Sequence, residues 1–232
     1  MMILIIFNFV ALLVSIIVHE VAHGAAAYKL GDKTAYLQGR LSFNPFKHLD
    51  LLGSLIVPLL FYVSNLPILG WAKPVPVSIS NLKKPSKDMC LIALAGPVSN
   101  LVLLCFFALF IEMFLVNFYS NYQPFMLYFS LSMVQINIVL TLFNLIPIPP
   151  LDGSKVLHFF MPSTIRSFLH SIEPYGFIIL FVFLYFGLLD KIILPLFNFF
   201  MKMALPSIDL LGFFDTSFYP FLSFNHVGNI VC

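Results

Sequence analysis

The stretch MILIIFNFVALLVSIIVHEVAHGAAAY, residues 2–28, decides how the rest of the chain is read. It is almost wholly apolar up to Val18 and then carries His19, Glu20 and His23 within the same run. A bilayer core about 30 Å thick needs roughly 20 apolar residues per spanning helix, so this run is long enough to span. Ionisable residues at the centre of a span cost about 2.5–3.5 kcal/mol each on insertion scales, and they mark function or pairing. On a helix, residues four apart share a face, so His19 and His23 can reach one metal ion together. Glu20, beside them, can take a proton from a water that the ion activates. The bland reading is a polar cluster that holds helices together. A basic leading region is lacking, and no small-residue cleavage site precedes the polar motif. The run therefore reads as a retained helix rather than a signal peptide.

Composition extends this to the whole chain. Of 232 residues, 60% are hydrophobic and 9% charged, against about 25% charged in soluble domains. An ordinary cytosolic enzyme is excluded, and so is a disordered chain. Further apolar runs at 51–69, 89–117, 125–146 and 174–206 predict an all-α multi-pass membrane protein. The last run is long enough for two helices, with a break at Leu189-Asp190-Lys191. The net charge of +2, with no basic stretch interleaved with aromatics, gives no support for nucleic-acid binding. Cys90, Cys105 and Cys232 form no close pair; the first two fall on one apolar run as small hydrophobes.

Between the runs, alternation over Thr34–Phe43 predicts a short membrane-associated β-hairpin. Residues 74–87, rich in Pro and Lys, read as a surface loop. Lys29, Lys33, Arg40 and Lys47 follow the first run; Lys73, Lys83, Lys84 and Lys87 follow the second; Lys155 and Arg166 follow the fourth. Residues 118–124 carry no basic group. The positive-inside rule then puts the three basic loops in the cytoplasm and Asn117–Gln123 outside. Segment 51–69, broken by Gly53, Pro58 and Pro67, has cytoplasmic loops on both sides and is expected to be re-entrant, the other reading being a full span that the charge count misplaces. Residues 1–210 read as one polytopic membrane domain and 211–232 as an aromatic-rich tail.

A tetrahedral catalytic zinc takes three protein ligands and leaves its fourth position open. Most acids of the chain fall in predicted loops or at segment ends, His158 and His170 fall in a cytoplasmic loop, and Glu112 lies toward the outer side. Asp152 closes a span that runs from outside to inside, which brings it to the depth of His19 and His23. Three prolines between Asn144 and Gly153 unwind that end, and an unwound segment can bind an extended peptide through its main chain. Spacing alone leaves a second reading open, in which Asp152 caps the next helix. Asn100 reads as glue between helices. His48 reads either as an assistant near the site or as a loop residue at the surface, and Lys73 as facing headgroups or solvent.

HEVAH at 19–23 together with NLIPIPPLDG at 144–153 resembles the site-2 protease family of intramembrane zinc metalloproteases. FNPFKHLDLLG at 43–53, GWAKPVPV at 70–77 and AGPVSN at 95–100 resemble its subgroup without a PDZ domain. The resemblance covers roughly residues 5–190. It implies a three-helix catalytic core with one or two further C-terminal helices, and one Zn²⁺ per chain on His19, His23 and Asp152. It also implies Glu20 as the catalytic glutamate and Asn144 in contact with substrate or the developing oxyanion. The implied substrate is a transmembrane protein or peptide, cut within the lipid bilayer of a prokaryotic cell membrane with the site toward the cytoplasm. The 34–43 hairpin would then pair with the unwound substrate. Two other classes compete: a metal transporter, which calls for inverted repeats and acids in several spans, and a non-catalytic zinc-binding scaffold. The sequence shows neither transporter feature, and a scaffold has no need of Glu20.

Overall fold

The computed structural model describes residues 2–64, 70–115 and 124–206. Three helices form its centre: α1 (Met2–Lys29), α4 (Pro85–Phe110) and α5 (Pro124–Asn144). Between α1 and α4 lie the single turn α2 (Thr34–Leu37) and the short helix α3 (Val57–Val63). After α5 come α6 (Asp152–Phe160), α7 (Ser163–Ile172), α8 (Gly176–Tyr185) and α9 (Leu188–Ala204). Among the described residues, four stretches are long and apolar enough to cross a membrane: Ile6–Lys29, Pro85–Met113, Phe125–Asn144 and Ser163–Tyr185. Large apolar side chains such as Phe9, Val102, Phe106 and Leu109 point outward, as a lipid-facing surface requires. The chain is an all-α integral membrane protein.

Packing follows the apolar faces. Leu104 and Ala108 of α4, Ile111 just beyond it, Leu131, Val134 and Ile138 of α5, and Phe197 and Met201 of α9 form one buried cluster. Leu180, Leu184, Leu189 and Ile193 form a second around Leu151. That second cluster seats the chain just ahead of Asp152 against α8 and α9, so the C-terminal helices brace the site from behind.

Helix α1 ends in a Schellman motif. Gly31 adopts φ 111°, its N–H bonds the Tyr28 carbonyl, and the Asp32 N–H reaches back to Ala27, a turn that needs a residue free of a Cβ penalty. Asp32 is then buried with four donors around its carboxylate: the Thr34 N–H and hydroxyl, the Ser78 N–H and the Asn81 amide. Burial pushes its pKa up, but these bonds outweigh that and lower it to about 2. Because the folded value lies below the ordinary one near 3.9, the contribution is full above that pH and fades as pH falls toward 2. Asp32→Ala is expected to cost about 2 kcal/mol at neutral pH. The gap to wild type should close during acid titration followed by circular dichroism in detergent.

Three expectations change. No strand occurs among the described residues, and 34–43 is not a hairpin. The Asp32 carboxylate accepts the Thr34 N–H at the start of a helical turn there, with the Leu37 N–H on the Lys33 carbonyl and the Gln38 N–H on Thr34, and Gly39, at φ 64°, ends it. A short alternating run does not outweigh these bonds. The β-augmentation role for this segment falls with it. The expected break in the last apolar run lies earlier than 189–191, at Gly187, whose φ of 62° is left-handed. The loop expected after Asp152 is instead helical, so His158 sits on α6 and His170 on α7.

Segment 51–69 holds a π-helical turn at Leu52–Ile56 followed by α3, an apolar helix below spanning length. Its flanks meet, because the Trp71 N–H bonds the Gly53 carbonyl at 3.0 Å and the Ser54 hydroxyl bonds the Trp71 carbonyl at 2.9 Å. Residues 65–69, Asn117–Gln123 and the tail 211–232 lie outside the described residues.

Candidate metal centre

Helix α1 puts His19 and His23 one turn apart on the face toward α4, with ring centroids 4.5 Å apart and planes at 90°. Their Nε2 atoms are 3.0 Å apart. Each lies 3.1 Å from Oδ2 of Asp152, the first residue of α6. All three residues are buried or nearly so. Each imidazole is aimed by its other nitrogen: His23 Nδ1 donates to the Ile92 carbonyl at 2.7 Å, and His19 Nδ1 lies 3.3 Å from the Asn100 Oδ1. With Nδ1 engaged as the donor, the Nε2 lone pairs face Asp152.

Helix α4 is shaped for this contact. Pro97 offers no N–H to the Ala93 carbonyl and its ring opens the preceding turn. One residue before Ala93, the Ile92 carbonyl takes the His23 bond. Gly96 is the closest approach: a Cβ there would lie 2.5 Å from His19 Nε2 and from His23 Cε1. Asp152 is placed by the turns of the proline-rich segment, where the Ile148 N–H bonds Ile146 and the Leu151 N–H bonds Ile148. Gly153 lets α6 start flush against the Leu145 and Ile146 carbonyl oxygens. Lys155, half exposed, contacts Oδ1 of Asp152 at 3.3 Å, which leaves Oδ2 alone for the histidines.

The donor set fits a metal. Two imidazole nitrogens and one carboxylate oxygen make up a three-ligand catalytic zinc set, and tetrahedral ligands at Zn distances near 2.0–2.1 Å sit about 3.3 Å apart. The spacings of 3.0 and 3.1 Å come close to that triangle. Among the described residues this is the group of His, Cys, Asp and Glu side chains arranged to hold an ion.

Glu20 lies beside this triangle in sequence, and its Oε2 accepts the Val75 N–H at 2.8 Å. Asn144 ends α5, and its amide donates to the Leu140 carbonyl at 2.9 Å rather than to any of the three donors. His48 is not a surface residue: it is 2% exposed and bonds the Ser42 carbonyl at 2.7 Å. Sequence reasoning missed the roles of Gly96 and Lys155. It read Asn100 as helix glue, and the bond to His19 makes that glue also the support of the site.

These features together define a helical membrane protein with a buried His-His-Asp centre and an adjacent glutamate. Residues 119–187 match peptidase family M50. The chain is 39% identical over 198 residues to "Putative zinc metalloprotease YwhC" of Bacillus subtilis (strain 168), covering 82% of this chain and 84% of that one. It is 27% identical over 173 residues to "Putative zinc metalloprotease Rip2" of Mycolicibacterium smegmatis, covering 74% of this chain and 64% of that one. No solved structure matches it. The chain belongs to peptidase family M50, the site-2 protease family that its motifs resemble.

Proposed function

We propose that this chain is an intramembrane zinc metalloprotease that hydrolyses peptide bonds in or near transmembrane segments of other proteins. The observation that carries the reading is the convergence of His19, His23 and Asp152 beside Glu20 inside an apolar helical bundle. His19, His23 and Asp152 would hold one Zn²⁺ per chain, which supplies Lewis acidity and makes water acidic enough to attack near neutral pH. Glu20 takes the proton of the attacking water and passes it to the leaving amine. Asn144 serves as a donor to the substrate carbonyl, a role for which its amide must turn away from Leu140. A helical substrate must unwind before its backbone can reach these groups.

The site lies toward the cytoplasm in this reading, supported by the basic residues that flank α1, α3 and α6. Segment 51–69 dips into the bilayer and returns, and the pairing of Gly53 with Trp71 supports this path.

A cleavage assay in detergent with a synthetic transmembrane peptide tests the proposal. Wild type is expected to cut it, and Glu20→Gln to be slower by roughly 10²–10⁴-fold while keeping its zinc. Equal rates would remove Glu20 from the chemistry. Zinc-loaded wild type that cleaves no such peptide would favour a scaffold.

A further inference from the structure

Arg40 is a cation buried to 8% exposure, and the proposed chemistry does not use it directly. Its guanidinium bonds main-chain carbonyls on two separate segments. One is Lys47, which ends the turn after Pro45; the others are Lys73 at 2.7 Å and Pro74 at 3.3 Å. The two segments are also tied directly, with the Lys73 N–H on the His48 carbonyl at 2.8 Å. The next residue after Pro74 is Val75, whose N–H holds Glu20. Pro74 and Pro76 have no N–H, so within Pro74-Val75-Pro76 the single main-chain donor goes to Glu20. The Val75 side chain is buried, and its Cγ1 lies against Gly24, one turn beyond Glu20 on α1.

We infer that Arg40 is a positioning residue for Glu20, acting through the carbonyls of Lys73 and Pro74 to hold the Val75 N–H against the carboxylate. A planar fork of five donors suits several carbonyls at once, which a lysine ammonium on a flexible stem matches poorly. The charge is stabilised among main-chain oxygens, so its removal frees the 73–75 segment while the three metal donors keep their own supports on α4 and α6. The inference rests on Glu20 being the proton carrier of the proposed protease.

The test uses the full chain in detergent with the synthetic transmembrane peptide, comparing wild type, Arg40→Lys and Arg40→Ala. Both variants are expected to keep wild-type zinc content and a KM close to wild type. Their kcat should fall roughly 10- to 100-fold, the scale of a misplaced catalytic group. Added methylguanidinium should restore part of the kcat of Arg40→Ala. Hydrogen exchange should report faster exchange of the Val75 amide in both, a readout that needs no activity. Wild-type kcat in Arg40→Lys, or zinc lost in proportion to activity, would overturn the assignment. So would unchanged exchange at Val75. If Arg40→Ala fails to fold, Arg40→Lys alone decides between these results. Zinc-loaded wild type that is inactive while Val75 exchange rises in the variants would overturn the protease reading and leave the clamp itself standing.

Discussion

Asp152→Ala is expected to empty the metal centre. Elemental analysis of purified wild type should find about one zinc per chain, the number a single three-ligand site holds, and the variant should hold little. The substitution removes one of three donors and leaves two imidazoles, whose Nδ1 atoms are already committed to Asn100 and Ile92, with no third ligand opposite. Loss of an outer-shell partner alone typically costs about 10–100-fold in metal affinity, and loss of a ligand should exceed that. Peptide cleavage should vanish with the metal, a larger effect than that of Glu20→Gln. Zinc retained by Asp152→Ala would remove Asp152 from the ligand set and leave it as an acidic residue in the first turn of α6. No zinc in carefully handled wild type would break the metalloprotease mechanism at its base.

Gly96→Ala should be nearly as damaging, although it adds one methyl group and removes nothing. That methyl would lie 2.5 Å from atoms of both imidazoles, closer than any real contact allows, so the rings or α4 must move. Overpacking a well-packed site costs about 1–3 kcal/mol, which corresponds to roughly 10- to 100-fold in zinc affinity when the rings absorb it. Competition with a chromogenic chelator measures this, and circular dichroism should show helicity unchanged. Wild-type zinc affinity in Gly96→Ala would mean that α4 can retreat from α1 without disturbing the centre.

The parts of this protein that sequence reasoning reached are those that depend on one helix or on depth in the membrane. His19 and His23 pair because of the four-residue spacing on α1, and Asp152 joins them because a span ending on the same side reaches the same level. Gly96 escapes, and Asn100 is legible only as glue between helices, because their roles at the site depend on how α4 approaches α1, and nothing local in AGPVSN encodes a neighbour's imidazole. The 34–43 segment was misread for a different reason. Its alternation is real, but the Asp32 carboxylate on the Thr34 N–H and the left-handed Gly39 make a helical turn the better local solution. For His48 the sequence leaves a surface role as open as one near the site, because its loop is polar. The carbonyls that Arg40 gathers from 47, 73 and 74 fold that loop around its own polar groups.

The two halves of the metal centre stand 133 residues apart along the chain, from His19 to Asp152. During synthesis, the histidines and Glu20 enter the membrane with the first helix, while their acidic partner is made only after α5 has been threaded. A nascent or truncated chain ending before Asp152 therefore bears the whole HEVAH signature yet lacks the set of donors that would arm it. Of the three side chains that could hold an ion together, the one that closes the triangle is the last to be made.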